Sequence, residues 1–229
     1  MAYDPKSERV ILFGGYVSES LIDDQTWAWD GQDWAHLDAA GPPRRSGAAL
    51  IYDIGRGALL LIGGSFGNIT FYADEWEWNG KGWRAFRGSI SPAVAFAAAA
   101  YDPGRSELVL FGGTVHGPGG VGSIGAPVGD TWLEQGGKWT RASSGIGPSA
   151  RYEAVAVFDP ELGKVVLFGG AACPKLDAGF WSWDGKAWTD SSGATEPSPR
   201  FAAAAVYDST RHFVVLFGGS HEQVCFNEL

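Results

Sequence analysis

The sequence predicts an all-β protein built from a repeated unit of four strands. Glycine (34 residues) and tryptophan (11 residues) are abundant, and no stretch keeps an amphipathic helical period beyond a turn or two. A tetrad of two apolar residues and two glycines recurs five times, at intervals of 49, 49, 57 and 49 residues. Such a period is typical of a propeller or another closed array of repeats. The tetrads are Leu12-Phe13-Gly14-Gly15, Leu61-Ile62-Gly63-Gly64, Leu110-Phe111-Gly112-Gly113, Leu167-Phe168-Gly169-Gly170 and Leu216-Phe217-Gly218-Gly219.

The first predicted strand of each repeat is short, rich in small apolar residues, and ends in an aromatic-Asp pair. A turn follows, as in Asp102-Pro103-Gly104, because an Asp side chain caps a turn and Pro presets φ at the next position. In the first repeat only a stub of this strand is present, from Met1 to Asp4. The other first strands are Gly47 to Asp53, Ala95 to Asp102, Ala154 to Asp159 and Ala202 to Asp208.

The second predicted strand is the aliphatic run that leads into the double glycine, for example Leu108 to Gly113. Its nearly continuous apolar character predicts burial on both faces. The glycines at its end predict either a positive φ or a close approach of neighbouring backbone.

The third and fourth predicted strands carry tryptophans around a turn. Alternation in Thr26-Trp27-Ala28-Trp29 places both tryptophans on one face of the sheet. Asp30-Gly31, Asn79-Gly80 and Asp184-Gly185 then predict two-residue hairpins with a positive φ. Because the tryptophans recur in every repeat, packing between repeats is favoured over a sugar-binding platform. The third repeat has Glu134 in place of the second tryptophan. The fourth strands open with Trp34, Trp83, Trp139 and Trp188.

This pattern resembles the kelch repeat, whose hallmarks are a double glycine followed by a spaced aromatic residue and a tryptophan. The aromatic-Asp-Pro turns and the Trp-Asp-Gly-x-x-Trp hairpin are similar to those of bacterial kelch proteins grouped with the central domain of galactose oxidase. The resemblance covers essentially the whole chain. It implies a kelch-type β-propeller with one four-stranded antiparallel blade per repeat, and it slightly favours an extracytoplasmic or secreted location.

The repeats predict a single propeller domain over residues 1–229. Its blades lie at 1–40, 41–90, 91–145, 146–195 and 196–229, of which the first and the last are partial, so about four and a half blades are present. Kelch propellers usually close with more blades than this. We therefore expect an open arc or an imperfectly closed ring, and a fragment of a longer protein.

The composition argues against several classes of partner. The formal net charge is −9, and Lys and Arg do not cluster along any segment, so nucleic-acid binding is not expected. No run approaches the roughly 18 apolar residues of a membrane-spanning helix.

No motif predicts a metal site, a cofactor or a catalytic centre. The histidines lack metal-ligand spacing, and no Ser-His-Asp spacing, P-loop or zinc pattern occurs. The resemblance to galactose oxidase raises the question of a copper site, but its set of two His, a Tyr and a Tyr–Cys crosslink does not map onto this chain. We expect no metal and no cofactor, and enzyme activity is disfavoured.

Three arginines are candidate ligand-binding residues. Arg45, Arg151 and Arg200 each lie eight residues before the turn Asp, at the start of the innermost strand. Their guanidinium groups could converge and bind a carboxylate bidentately, and the resemblance implies contact with acidic ligands near this position. Alternatively, each arginine ties down a loop carbonyl or a neighbouring Asp. Glu153 would point the same way as Arg151, as an acid, a base or an arginine partner.

Two cysteines are candidates for a disulfide bond. Cys173 and Cys225 follow the double glycines of adjacent repeats by a few residues, so they lie on equivalent loops. A bridge requires their Cα atoms to lie within about 7 Å of each other.

The loops after the double glycines predict which side of the fold binds a ligand. They differ in length and chemistry, whereas the turns on the opposite side are uniform, and variable loops on a rigid scaffold usually carry recognition. We call their side the double-glycine face; it carries the candidates Tyr72, His116 and His221, and the arginines lie beneath it. We predict a non-catalytic protein- or peptide-binding module, possibly for an acidic peptide, with carbohydrate binding or processing as the alternative. The loops are Tyr16 to Asp23, Phe66 to Tyr72, Thr114 to Gly129, Ala171 to Asp177 and Ser220 to Gln223.

Overall fold

The protein consists of β-strands joined by short turns and loops. The computed structural model describes residues 1–18, 21–67, 69–86, 90–117, 125–142, 146–172, 175–176, 179–193 and 196–221. Within these ranges there is no helix, and so no helix that could cross a bilayer. The all-β prediction is confirmed.

Within the described residues, four sheets contain four antiparallel strands each, and a fifth sheet, formed by the last two strands, contains two. This confirms the predicted four-stranded repeat and is consistent with a β-propeller-like fold. Sheet 1 contains β1 (Ala2–Asp4), β2 (Arg9–Ser18), β3 (Leu21–Trp29) and β4 (Trp34–Leu37); sheet 2 contains β5 (Ala49–Asp53), β6 (Ala58–Ile62), β9 (Glu75–Trp78) and β10 (Trp83–Ala85). Sheet 3 contains β11 (Ala98–Asp102), β12 (Glu107–Phe111), β15 (Thr131–Gln135) and β16 (Lys138–Arg141); sheet 4 contains β17 (Val155–Asp159), β18 (Lys164–Phe168), β21 (Phe180–Trp183) and β22 (Trp188–Asp190). Sheet 5 contains β23 (Phe201–Asp208) and β24 (Phe213–Ser220).

Three short hairpins occupy the loops that follow the double glycines. Each begins directly after the second glycine, and an isolated bridge ties it to the segment that precedes the first strand of the same sheet, as between Ser46 and Ser65. The hairpins are β7 (Ser65–Phe66) with β8 (Thr70–Phe71), β13 (Thr114–Val115) with β14 (Ala126–Pro127), and β19 (Ala171–Ala172) with β20 (Lys175–Leu176).

Successive sheets pack face to face, and the second strand of each inner sheet serves both interfaces. In β12, Leu108 and Leu110 pack against sheet 2, whereas Val109 and Phe111 pack against sheet 4. This alternation explains the nearly continuous apolar run, as predicted. The outer tryptophans of a sheet face the preceding sheet, where they are buried or half-buried. Trp34 of sheet 1 faces no preceding sheet in the described part of the chain and is 44% exposed.

The double glycines form the joints between sheets. The first glycine has a positive φ, and a Cβ on Gly112 would lie 2.5 Å from the main-chain oxygen of Arg151 in the next sheet. Both reasons predicted for glycine therefore apply. The second glycine donates its N–H to the same carbonyl, and this bond repeats at all four joints: Gly15 to Arg45 (2.9 Å), Gly64 to Val94 (2.8 Å), Gly113 to Arg151 (2.8 Å) and Gly170 to Arg200 (2.9 Å).

The tryptophan hairpins have longer loops than predicted. Trp29 pairs with Trp34, so four residues separate the strands instead of two, and the hairpins of sheets 2 and 4 are the same. The positive φ of Gly31 is as predicted. The longer loop forms because Oδ1 of Asp30 accepts hydrogen bonds from the N–H groups of Gln32 and Asp33, both 2.9 Å. A two-residue turn occurs instead in sheet 3, where Gln135 pairs with Lys138.

Candidate functional site

A cavity of about 760 Å³ lies between sheets 2 and 3 on the double-glycine face. Residues from two double-glycine loops line it, with Phe71 on β8 and Val115 and His116 at β13. The segment 90–94 and Trp132 on β15 complete the walls. Its size and mostly apolar lining are typical of ligand pockets.

The polar groups of this cavity are few and lie at specific places. His116 is exposed, and its ring meets that of Phe71 edge to face, with the centroids 6.3 Å apart. Asp130 accepts a hydrogen bond from Arg141, which holds the carboxylate beside Trp132. The cavity thus combines apolar walls with one imidazole and one paired carboxylate. Of the predicted site residues, His116 lines this cavity. Phe71 and Val115 lie in the variable loops that the sequence singled out, whereas the segment 90–94 and Trp132 lie outside those loops and carried no sequence signal.

Arg45 is buried in a network within its own sheet. Its guanidinium donates to the main-chain oxygen of Gly63 (2.8 Å) and to both carboxylate oxygens of Asp74 (2.5 and 2.9 Å), and it stacks over the ring of Tyr72 at 4.0 Å. Partial burial acts to raise the pKa of Asp74, but the hydrogen bonds from Arg45 and Trp76 outweigh it and lower that pKa below its ordinary value. Because its ring stacks on the Arg45 guanidinium, the candidate Tyr72 contributes to holding Arg45 in place.

Arg151 and Arg200 repeat the same main-chain contacts. Arg151 is buried and donates to the main-chain oxygens of Gly169 (3.1 Å) and Ser149 (2.9 Å). Arg200 donates to the main-chain oxygen of Gly218 (2.9 Å), but its contacts are exposed to solvent. Each arginine thus binds the first glycine of the double glycine in its own sheet. These contacts are those of the alternative to ligand binding, in which each arginine ties down a loop carbonyl or a neighbouring Asp, and Arg45 binds both kinds of acceptor.

Glu153 belongs to a ladder of main-chain hydrogen bonds that crosses the sheets. Its N–H donates to the carbonyl of Phe96 (2.8 Å), and its carbonyl accepts from Ala202 (3.0 Å); Phe96 in turn donates to Gly47 (2.6 Å). All four residues have a left-handed φ, between 53° and 65°. A side chain costs free energy in this conformation. Burial also raises the pKa of the Glu153 carboxyl group above its ordinary value.

Replacing Glu153 with glutamine is expected to raise the melting temperature at about pH 7 and to have little effect at about pH 4. A carboxyl group with a raised folded-state pKa favours the folded state at low pH, and this contribution is lost as the pH rises through that pKa. Glutamine keeps the shape and removes the charge. Thermal unfolding of both proteins across this pH range is the measurement, and a benefit that is equal at both pH values would contradict the expectation.

The remaining candidates lie apart from the cavity. His221 is exposed at the end of the described residues, beyond β24. Cys173 and Cys225 lie outside the described residues, so their pairing stays a prediction. The described ranges contain no group of three or more His, Cys, Asp or Glu placed to hold a metal ion.

A buried ionic cluster between sheets 2 and 3 was not predicted from the sequence. Arg56 binds Glu75 (2.8 Å) and Glu134 (2.6 Å) and lies near Asp53 (3.5 Å), and all three carboxylates are almost fully buried. Burial raises the pKa of Glu75, although bonds from Trp139 and Arg56 oppose the shift. The signal was present in the sequence, because Glu134 replaces a repeated tryptophan.

Comparison with known proteins identifies no relative of this chain. Neither the protein-family models nor the curated protein sequences include a match to this chain.

Proposed function

We propose that the chain is a non-catalytic, kelch-type β-propeller scaffold that binds a protein or peptide through its double-glycine face. The observation that carries the proposal is the apolar cavity between sheets 2 and 3, built by two of the variable loops. Rigid sheets hold these loops, and binding sites commonly occupy such positions.

The cavity favours a peptide that inserts an aromatic or aliphatic side chain. Phe71, Val115 and Trp132 offer apolar contacts for this anchor, and His116 offers a hydrogen bond at the rim. Buried apolar anchors supply most of the affinity in such interfaces. Arg45 and Arg200 both give their donors to the protein itself, so an acidic group on the ligand would meet His116 at the rim of the cavity.

The proposed absence of catalysis is supported by how few titratable groups line the described part of the cavity. Among the described residues that line the cavity, the titratable side chains are His116 and Asp130, and Asp130 is bonded to Arg141. An acid–base mechanism needs groups that are free to exchange protons at the reacting atoms. His116 and Asp130 instead give the cavity hydrogen-bonding groups that suit the recognition of a ligand.

A Val115→Arg variant is expected to weaken peptide binding at least about tenfold, a loss of about 1.4 kcal/mol. The probes are dodecapeptides selected from a random phage-displayed library against the full chain. The new side chain would occupy the cavity between sheets 2 and 3 and place a charge against its apolar walls. Titration calorimetry measures the affinity. Lys81→Ala, in the exposed tryptophan hairpin of sheet 2, is the control and should bind as the original protein does.

Two outcomes would contradict the peptide proposal. If the selected peptides bind the Val115→Arg variant and the original protein equally well, the cavity is not the site. If no peptide is selected while both proteins are folded by circular dichroism, peptide binding itself is wrong.

A carbohydrate is the second candidate ligand, and one observation favours it. The cavity places the aromatic rings of Phe71 and Trp132 near the carboxylate of Asp130, a combination that suits an apolar sugar face and its hydroxyl groups. A glycan array distinguishes the two proposals: glycan binding that is lost in Phe71→Ala, with no peptide selected, would assign the cavity to carbohydrate.

A further inference from the structure

A second cavity, of about 290 Å³, lies between sheets 1 and 2. Arg9 and Ile11 of β2 line it from sheet 1, and Trp78 of β9 lines it from sheet 2. Ser7 and Gly80 line it from the turns after β1 and β9, on the side of the sheets opposite the double glycines. Its lining is more polar than that of the cavity between sheets 2 and 3.

The corresponding space between sheets 3 and 4 is filled by an arginine. Counted from the double glycine, Arg105 stands where sheet 1 has Ser7. The guanidinium of Arg105 lies so close to Gly185 of sheet 4 that a Cβ at that glycine would overlap it. A Cβ on Gly80, which corresponds to Gly185, would meet no described atom nearer than the carboxylate of Asp4, at 4.0 Å. The smaller serine therefore leaves the cavity open.

A second difference between the repeats reverses a charge at this position. Arg9 stands where sheet 3 has Glu107, since each lies five residues before the first glycine of its double glycine. Alternation places the side chain of Arg9 on the same face of β2 as Ile11, which packs against Trp78 of sheet 2. Sheet 1 therefore presents a cation to its neighbour where sheet 3 presents a carboxylate.

Two hydrogen-bond donors at the cavity lack acceptors in the described part of the chain. The guanidinium of Arg9 forms no hydrogen bond or ion pair with those residues. The neighbouring carboxylate of Asp4 is bound instead by Oγ of Ser7 (2.7 Å) and the N–H of Lys6 (3.0 Å). Trp78 is 2% exposed, and its Nε1 is buried without a described partner. A buried donor without an acceptor is unfavourable, and an incoming acceptor would relieve this.

We propose that the cavity between sheets 1 and 2 binds a carboxylate, carried either by a small free acid or by an acidic side chain of another polypeptide. The planar guanidinium of Arg9 binds both carboxylate oxygens side by side. The indole N–H of Trp78 is the further donor. This site is separate from the cavity on the double-glycine face and does not depend on the function proposed for that face.

The surroundings of Arg9 favour a small, singly charged anion. Asp4 pairs with Arg9 across β1 and β2, so its carboxylate would repel a doubly charged phosphate more strongly than a carboxylate. The exposed side chains of Asp38 and Lys81 at the rim carry opposite charges, which offset each other. A volume of about 290 Å³ is at the lower end for ligand pockets, and it suits a small acid or a single side chain.

The probes are succinate and the blocked tripeptide acetyl-Gly-Glu-Gly-amide, titrated into the full chain at constant ionic strength. NMR of the labelled indole nitrogens measures the affinity. The signal of Trp78, identified as the one missing from a Trp78→Phe variant, is expected to shift saturably with at least one probe. Tighter binding of succinate would assign the site to a free acid, and tighter binding of the tripeptide would assign it to an acidic side chain.

Two substitutions test the site, and a third is the matched control. Ser7→Arg supplies the arginine that fills the corresponding space between sheets 3 and 4, and Arg9→Gln removes the cation. Each is expected to weaken binding of the better probe at least about tenfold. Both side chains are at least partly exposed, so both variants should fold. Arg84→Gln removes the same charge from the other face of sheet 2, where Arg84 binds Glu77, and should leave the affinity within about twofold.

Three results would overturn the proposal. The first is that neither probe shifts the Trp78 signal, and the second is that Ser7→Arg and Arg9→Gln bind as tightly as Arg84→Gln. The third is that inorganic phosphate binds more tightly than both probes. The outcome for peptides selected against the double-glycine face affects none of these measurements, because that cavity is tested with the separate Val115→Arg variant.

Discussion

Replacing Arg56 with alanine is expected to lower the free energy of unfolding by about 3–5 kcal/mol. The guanidinium is the positive charge held among the carboxylates of Asp53, Glu75 and Glu134, each of which is almost fully buried. Without it, these carboxylates remain buried without their charge partner, and the cation–π contact with Phe86 is also lost. Chemical denaturation at about pH 7 measures the change.

The effect of Arg56→Ala is expected to shrink as the pH falls from about 7 to about 4. Burial raises the pKa of Glu75 in the folded protein, and Arg56 is one of the groups that oppose this shift. Removing Arg56 should therefore raise that pKa further. A carboxyl group with a raised folded-state pKa takes up a proton more readily when folded, so lowering the pH restores stability to the variant.

Arg84→Ala is the control for this substitution. Arg84 also binds a glutamate, Glu77, at 3.0 Å, but its side chain is 70% exposed. Exposed ion pairs contribute little because water screens them. Two results would contradict the prediction that Arg56 stabilises the protein through the buried carboxylates. One is a similar loss of stability in both variants, and the other is a loss in Arg56→Ala that grows as the pH falls.

Replacing Gly112 with alanine is expected to cost about 3–5 kcal/mol, and the same change at Gly218 much less. The two glycines have nearly the same φ, 70° and 71°. An alanine at either position is destabilised by the left-handed conformation, by about 1–2 kcal/mol. At Gly112 the added Cβ also lies 2.5 Å from the carbonyl oxygen of Arg151, whereas at Gly218 no atom of the described part of the chain lies within 4 Å.

The difference between the stability losses of these two variants measures how much the close contact between sheets 3 and 4 disfavours a side chain at position 112. The carbonyl of Arg151 accepts the N–H of Gly113, so moving it away from a new Cβ would also disturb that hydrogen bond. Denaturant unfolding of both variants gives the comparison. Equal losses of stability would mean that the positive φ alone, and not the close approach of the next sheet, makes glycine necessary at position 112.

The repeat made the sheets predictable because strand formation depends on local patterns. Small apolar strands, aliphatic runs and tryptophan pairs each follow the two-residue period of a strand. The burial of β12 on both faces and the glycine at position 112 also follow, because a continuous apolar run needs two partners and a left-handed φ favours glycine. These features come from residues close together in the chain.

Only the tertiary structure decided how the polar side chains are used. Arg45 had two possible roles in the sequence, and the acceptors at Gly63 and Asp74 became evident when the strands were placed. The cluster of Arg56 and Glu134 joins residues of different sheets, and the walls contributed by Phe71 and Val115 meet across a joint. Such contacts depend on the packing of one sheet against the next, which a local period does not encode, because hydrogen bonds and ion pairs form only between groups that the packing brings within reach.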